Sequence, residues 1–162
     1  MASSSQQFRH RHAEGLGERI NRAEGRVLPP GFEPSRKYPL VVYIHGGPRA
    51  ASTVGFSPLP QALAAQGWVV FQPNYRGSDN LGDAYTRAIL DDSGAGPGRD
   101  VMAGVEALVR RGYVDQERMV VGGWSYGGYM TTWMIGHYPI FKAGVAGAAV
   151  TTLIESYVLG EG

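Results

Sequence analysis

Four short, unbroken apolar segments, separated by stretches long enough for helices, limit what this 162-residue chain can fold into. They lie at residues 40–44, 68–72, 119–122 and 143–148. Segments of this kind, without alternating polar residues, are typical of strands that are buried on both faces of a parallel sheet. The strand–helix–strand order therefore predicts an α/β fold, with a mainly parallel sheet and helices on both faces.

Apolar residues at helical spacing fill the stretches between these segments. We expect helices at residues 59–63, 83–90, 101–109 and 126–135, with the remainder of residues 74–98 forming a loop. This pattern places Asp100 in the first turn of the third helix, where the helix dipole stabilises negative charge. Residues 1–26 are polar and basic, and they are predicted to be a disordered or weakly structured tail ahead of a folded unit at residues 27–162.

Composition excludes several classes of protein. A net charge of +1 argues against a dedicated nucleic-acid binder, and the absence of cysteine excludes a disulfide scaffold, a thiolate nucleophile and a Cys-ligated zinc. No group of His, Asp and Glu has the spacing of metal ligands, so we expect no metal and no cofactor. Apolar runs of about five residues are too short for a membrane span, and no secretory signal is visible. These features predict a cytoplasmic protein that does not bind membranes.

A Gly-x-Ser-x-Gly motif occupies residues 123–127, between a predicted strand and a predicted helix. In this context the motif predicts a nucleophile elbow, a strained turn on which the Ser125 hydroxyl stands clear of the sheet. The flanking glycines would let neighbouring backbone pack closely, and the helix N-terminus would direct free N–H groups at developing negative charge. The alternative is a glycine-rich connection that contains a serine by chance.

A second motif, His-Gly-Gly-Pro at residues 45–48, follows the first predicted strand. In serine hydrolases with an elbow, one oxyanion-hole N–H comes from the residue after the nucleophile, and the other comes from a loop of this type. We therefore assign the two N–H donors to Tyr126 and Gly47. Two alternatives are that His45 is a catalytic base and that the motif is only a tight turn.

Aromatic residues continue from the motif at helical spacing. They could form a binding stripe, although side chains at this spacing more often belong to the core. The residues are Trp124, Tyr126, Tyr129, Trp133 and Tyr138. Two charged pairs, at residues 91–92 and 110–111, are interpreted as solvated surface.

Five collinear segments give the chain a wider resemblance. They lie at residues 38–48, 74–78 (Asn-Tyr-Arg-Gly-Ser), 100–115, 123–130 and 148–151. With them, residues 27–160 resemble the catalytic domain of the prolyl oligopeptidase family of serine peptidases, in particular its acylaminoacyl-peptidase and dipeptidyl-peptidase-like branch. The resemblance implies an α/β-hydrolase fold, Ser125 as nucleophile, and an oxyanion hole formed by the Gly47 and Tyr126 N–H groups. It also implies a peptide or acyl-peptide substrate, bound in part by Tyr126, Val150 and Leu153.

The resemblance also predicts the order of the strands. The four apolar segments would correspond to strands 3 to 6 of a sheet ordered 1-2-4-3-5-6-7-8, so the spatial order should be second, first, third, fourth, with all four parallel. Residues 25–28 could represent the end of the preceding strands. Both outer strands would then lack a partner, and such exposed edges favour self-association.

The chain departs from the family pattern after Ser125. Members of the family place the Asp and His of the catalytic triad well downstream, but no Asp follows Ser125 here, and the one His is His137. That residue lies about three helical turns along the next helix and should point away from the elbow. No counterpart of the family's β-propeller is visible. We therefore expect a truncated catalytic segment of a serine peptidase that is inactive in isolation; the alternative is a non-catalytic fragment or pseudoenzyme that acts as an interaction module.

Overall fold

A mainly parallel sheet forms the centre of the structure, a computed structural model that describes residues 25–53 and 55–151. Within these residues the sheet has five strands in the order β1-β3-β2-β4-β5. Their bounds are β1 Gly25–Val27, β2 Tyr38–Ile44, β3 Val69–Gln72, β4 Val114–Trp124 and β5 Ala143–Gly147. Strand β2 lies parallel to both β3 and β4, and β4 lies parallel to β5. The predicted order and direction of the four apolar strands are confirmed.

Strand β4 is longer than its apolar segment predicts. It begins at Val114 rather than Met119, and its register against β2 shifts between Tyr38 and Leu40. The added residues 115–118 are mostly exposed and polar. These residues lie between the buried Val114 and Met119, opposite the register shift, so they carry no apolar signal that could reveal the strand.

One edge of the sheet differs from the prediction. Strand β1 pairs antiparallel with β3, through residues 70–72, so the expectation that both outer strands lack a partner is wrong for β3. It begins at Gly25, two residues before the expected start of the folded unit, and residues 1–24 lie outside the described residues. Among the described residues β5 pairs only with β4, and the side chain of Val145 is 74% exposed. Self-association through this edge stays a prediction.

The helices connect the strands on both faces of the sheet. They are α1 Pro58–Ala65, α2 Asp83–Arg87, α3 Ala95–Arg110 and α4 Tyr126–His137, with a 3-10 turn at Asp79–Leu81. Apolar side chains of α3 and α4 cover one face, and Ala64 of α1 packs on the other face. Among the described residues, no helix combines the length and apolar character that crossing a membrane requires.

Helix α3 starts earlier than the sequence predicts. It begins at Ala95, so the expected loop through residue 98 is wrong, and Asp100 lies in the second turn rather than the first. Proline is tolerated in a first helical turn, and Pro97 occupies one here. A Cβ at Gly98 would overlap the ring of Trp133, so a glycine is needed where α3 and α4 meet. This packing between helices is not visible in the local sequence.

Candidate active site

The turn between β4 and α4 holds Ser125 in a strained conformation. Its φ is 58° and its ψ is −120°, a region that residues with a Cβ seldom occupy. The Ser125 N–H donates to the Gly147 carbonyl at 2.9 Å, and the Ser125 carbonyl accepts from the Tyr129 N–H at 3.0 Å. The structure thus confirms the predicted sharp turn between strand and helix, while the catalytic role of Ser125 stays a prediction.

Glycines let this elbow lie directly against the end of β2. A Cβ at either Gly123 or Gly127 would collide with the carbonyl oxygen of Ile44. A Cβ at Gly46 would come within 2.9 Å of the Trp124 carbonyl oxygen. The two glycines of the motif are therefore required by close contact between backbones, and that contact brings the loop after β2 to Ser125.

The loop after β2 places Gly47 beside the elbow. Gly47 has a φ of +118°, and a Cβ there would lie 2.6 Å from the Arg49 nitrogen, so this position favours glycine. Gly47, Ser125 and Tyr126 line one cavity of about 230 Å³. Tyr126 is the first residue of α4, where backbone N–H groups have no partner within the helix. The structure thus brings together the three residues that the sequence assigned to the nucleophile and the oxyanion hole.

The wall of the cavity includes residues that sequence reasoning missed. Val150 lines it as expected, whereas Leu153 lies outside the described residues. The residues not assigned to the site are Pro48, Ser93 and Tyr129, although Tyr129 belonged to the aromatic stripe that was weighed as a binding surface. Tyr129 lies three residues after Tyr126 on α4, and this spacing on one helix face could have indicated it. Ser93 gives no local signal, because it reaches the cavity through a hydrogen bond from the Tyr126 hydroxyl to its carbonyl, at 2.6 Å. Burial raises the pKa of the Tyr126 phenol, which keeps it a donor.

Four of the five aromatic residues around α4 pack against the core, as predicted: Tyr126, Tyr129, Trp133 and Tyr138. Tyr126 and Tyr129 also line the cavity. Trp124 is 64% exposed, so its assignment to the core is wrong. Its ring lies over Gly147, where a Cβ would collide with it.

His45 is engaged within its own loop. Its Nδ1 lies 2.8 Å from the Gly46 carbonyl oxygen, and its Nε2 lies 2.9 Å from the Ser78 hydroxyl oxygen. Its ring stacks on Tyr75 with centroids 4.5 Å apart. Burial lowers the pKa of His45, so the neutral imidazole is favoured. These contacts favour a structural role over the alternative of a base acting on Ser125.

His137 is remote from the elbow, as predicted. It ends α4, its ring stacks on Trp133 with centroids 3.9 Å apart, and its Nδ1 lies 2.8 Å from the Trp133 carbonyl oxygen. In the part of the chain that the structure describes, no hydrogen bond joins a histidine or a carboxylate to the Ser125 hydroxyl. The same residues contain no group of three or more potential metal ligands.

A buried ion pair fixes the segment after β3. The Asp100 carboxylate accepts from Nε and Nη2 of Arg76, both at 2.8 Å, and from the Arg76 N–H at 2.9 Å. The Asp100 side chain is only 3% exposed. The hydrogen bond to Asp100 raises the pKa of Arg76 further above its ordinary value. Two parallel bonds from one guanidinium constrain direction as well as distance, so the pair ties this segment firmly to α3.

Residues 54–160 match the model of the prolyl oligopeptidase family. The chain belongs to the prolyl oligopeptidase family. A relative in Schizosaccharomyces pombe, dipeptidyl-peptidase 5, is 41% identical over 68% of this chain and 17% of its own length. The uncharacterized peptidase YuxL of Bacillus subtilis is 34% identical over 96% of this chain and 25% of its own.

Solved structures of peptidases share the fold. An acylaminoacyl peptidase, solved in complex with Z-Gly-Gly-Phe-chloromethyl ketone, superposes with a TM-score of 0.78 and 29% identity, over 83% of this chain and 22% of that one. This likeness confirms the α/β-hydrolase type of fold predicted for the chain. The chain spans about a fifth of the length of that peptidase and a quarter or less of the two curated relatives.

Proposed function

We propose that this site contains the nucleophile and the oxyanion hole of a serine peptidase. The Ser125 hydroxyl would attack the carbonyl carbon of a peptide or acyl-peptide bond, while the N–H groups of Gly47 and Tyr126 stabilise the negative charge that develops on the carbonyl oxygen. The observation that carries the proposal is the strained Ser125, which lies in one cavity with both donors. The names of the peptidase relatives support the same chemistry.

The cavity favours an apolar side chain next to the bond that is cleaved. Its walls are formed largely by Tyr126, Tyr129 and Val150, with Pro48 at the side of the oxyanion loop. A pocket of this character gains free energy mainly by removing apolar surface from water. The similar acylaminoacyl peptidase was solved with a ligand that contains phenylalanine, which supports an apolar or aromatic preference for this chain.

The nucleophile has no base within the described residues. A serine hydroxyl is a weak nucleophile unless a neighbouring group takes its proton. Enzymes that lose triad members keep only about 10³–10⁴-fold catalysis over water, from the oxyanion hole and from binding. We therefore expect the 162-residue chain alone to hydrolyse peptides negligibly and to react slowly with fluorophosphonate probes. Ser125→Ala is the control, and rapid labelling that depends on Ser125 would contradict this expectation.

A thiol at position 125 tests the oxyanion hole without a base. The sequence contains no cysteine, so Ser125→Cys introduces a single thiol. Its thiolate attacks a 4-nitrophenyl ester to give a thioester and 4-nitrophenolate, and an oxyanion forms on the way. Alkylation of the same thiolate by iodoacetamide displaces iodide and forms no oxyanion. The ratio of the acylation rate to the alkylation rate therefore measures stabilisation of the oxyanion separately from the reactivity of the thiol.

The matched control is Ser35→Cys, which puts the thiol on an exposed turn away from the elbow. We expect an acylation-to-alkylation ratio at position 125 that is about 100-fold higher than at position 35, because one oxyanion-hole donor contributes roughly 10²–10³ in rate. Equal ratios at the two positions would overturn the proposal and would favour a non-catalytic interaction module.

A further inference from the structure

Tyr75 contacts both parts of the chain that form the proposed oxyanion hole. Its side chain is fully buried, and its hydroxyl donates to the His45 carbonyl at 2.8 Å. Its ring stacks on His45 at 4.5 Å and on the ring of Tyr126 at 5.6 Å, measured between centroids. Tyr75 is therefore in contact both with the loop that carries Gly47 and with the residue that supplies the other N–H group.

Neighbours of Tyr75 hold the same loop at further points. We call residues 74–79 the supporting segment. Within it, the Asn74 side-chain amide accepts from the Ser52 N–H at 2.7 Å and donates to the Ser52 carbonyl at 2.9 Å. The Asp79 N–H donates to the Ala50 carbonyl at 3.2 Å. Since His45 and Ser52 lie on opposite sides of Gly47, the loop is held at both of its ends.

The supporting segment is itself immobilised. Arg76, next to Tyr75, is tied to Asp100 of α3 through three hydrogen bonds. Burial raises the pKa of the Tyr75 phenol, so its hydroxyl remains a donor throughout the neutral range. Loops are otherwise the most mobile parts of a fold, so these contacts supply the rigidity that an oxyanion hole needs.

We propose that Tyr75 is a positioning residue that sets the distance between the N–H groups of Gly47 and Tyr126. This inference rests on the proposed function. An oxyanion hole works only when both donors lie within about 2.7–3.1 Å of the developing oxyanion. The hydroxyl of Tyr75 fixes the His45 end of the loop, and its ring fixes Tyr126. It would therefore act on the reaction without touching the substrate.

Removal of the Tyr75 hydroxyl tests this proposal in the Ser125→Cys chain. Tyr75→Phe keeps the stacked ring and deletes the contacts of the hydroxyl with His45, to its carbonyl at 2.8 Å and to its Nδ1 at 3.2 Å. We expect the acylation rate with a 4-nitrophenyl ester to fall roughly 5- to 10-fold, which corresponds to a hydrogen bond of about 1 kcal/mol. The alkylation rate with iodoacetamide should stay unchanged. A purely structural role would not change the ratio of the two rates.

Tyr38→Phe is the matched control. Tyr38 is also a buried tyrosine, on β2, and its hydroxyl accepts from the Glu33 N–H at 2.9 Å, far along the strand from Gly47. Its loss should leave the rate ratio as it is. An unchanged ratio in Tyr75→Phe, or an equal fall in Tyr38→Phe, would overturn the positioning role.

Two further outcomes are distinguishable from these. A Ser125→Cys parent whose ratio is no higher than that of Ser35→Cys overturns the proposed function itself. If Tyr75→Phe loses its circular dichroism signal, the measurement is repeated with sucrose, which stabilises compact states. A chain that stays unfolded under those conditions overturns the positioning role in favour of a purely structural one.

Discussion

The two loops that meet at Ser125 are held in place by different interactions. The elbow is fixed by backbone packed on backbone, with Gly123 and Gly127 against the Ile44 carbonyl. The loop of residues 45–52 touches the elbow backbone at Gly46, but beyond that point it is fixed by hydrogen bonds from the supporting segment, most of them through side chains. Close backbone contact leaves no space for an added atom, whereas hydrogen bonds can be removed one at a time. Substitution of an elbow glycine should therefore disrupt the structure completely, whereas loss of single hydrogen bonds should weaken the other loop by degrees.

The largest effect is expected at the elbow. Gly127→Ala would place a Cβ against the Ile44 carbonyl, and neither backbone can yield without moving β2 or α4. We expect a loss of more than about 3 kcal/mol in the free energy of unfolding, measured by urea denaturation, or a chain that does not fold.

A second glycine in the same helix provides the control. Gly136 is exposed near the end of α4, and a Cβ there would have no neighbour within 4 Å. Gly136→Ala should leave stability unchanged or raise it by up to about 1 kcal/mol, through helix propensity. Similar unfolding free energies for the two variants would show that the elbow does not depend on close backbone contact.

A smaller effect is expected where the supporting segment is anchored. Asp100→Asn leaves the Arg76 guanidinium without its carboxylate, although the Arg76 side chain is 26% exposed and keeps some water. We expect a loss of about 2–3 kcal/mol, below the usual range for a fully buried pair. Asp83→Asn breaks an exposed pair with Arg87 and should cost no more than about 0.5 kcal/mol. Equal losses from the two substitutions would contradict the anchoring role of Asp100.

The smallest effect is a pH dependence at His45. Burial lowers its pKa in the folded chain, Asp79 opposes that shift, and the facing Tyr75 stays neutral. Between the lowered pKa and the ordinary value near 6.5, the unfolded chain binds more protons than the folded chain, so stability should fall as the pH drops below about 6.5.

Thermal unfolding between pH 7 and pH 5 checks the sign. His45→Gln should flatten the dependence of the unfolding temperature on pH, because the group that titrates is gone. If the unfolding temperature of the His45→Gln chain keeps its full dependence on pH, a group other than His45 causes that dependence.

Strand order was predictable because it follows from local apolar runs combined with a family resemblance. The start of α3 was not, because residues 96–98 have the composition of a loop, and this turn has contacts that are distant in sequence: Gly98 lies against Trp133, and Gly96 lies against Arg76. Strand β1 has only three residues, too few for periodicity to detect, and only the family resemblance suggested a strand end at residues 25–28. Local sequence therefore predicts a helix or strand that its own residues determine. It does not predict one that depends on contacts with residues far away in the chain.

The same division applies to the site. Ser125, Gly47 and Tyr126 were found because each belongs to a short motif whose backbone geometry is local. Tyr75 belongs to the 74–78 segment that carries the resemblance, but its bond to His45 spans 30 positions in the chain, and the segment itself does not indicate that bond. Hydrogen bonds between residues far apart in the chain become visible only in the three-dimensional structure. They are the part of the site that the sequence did not predict.

Strand β5, at the edge of the sheet among the described residues, is bonded directly to the elbow. The Ser125 N–H bonds to the carbonyl of Gly147, the last residue of β5, and Gly128 packs against that same carbonyl. Strands at the edge of a sheet open locally at a low cost in free energy, so transient separation of β5 is expected to expose the Ser125 amide to hydrogen exchange with solvent. A polypeptide segment that paired with the outer edge of β5 would slow that exchange, and it would make the turn at Ser125 more rigid.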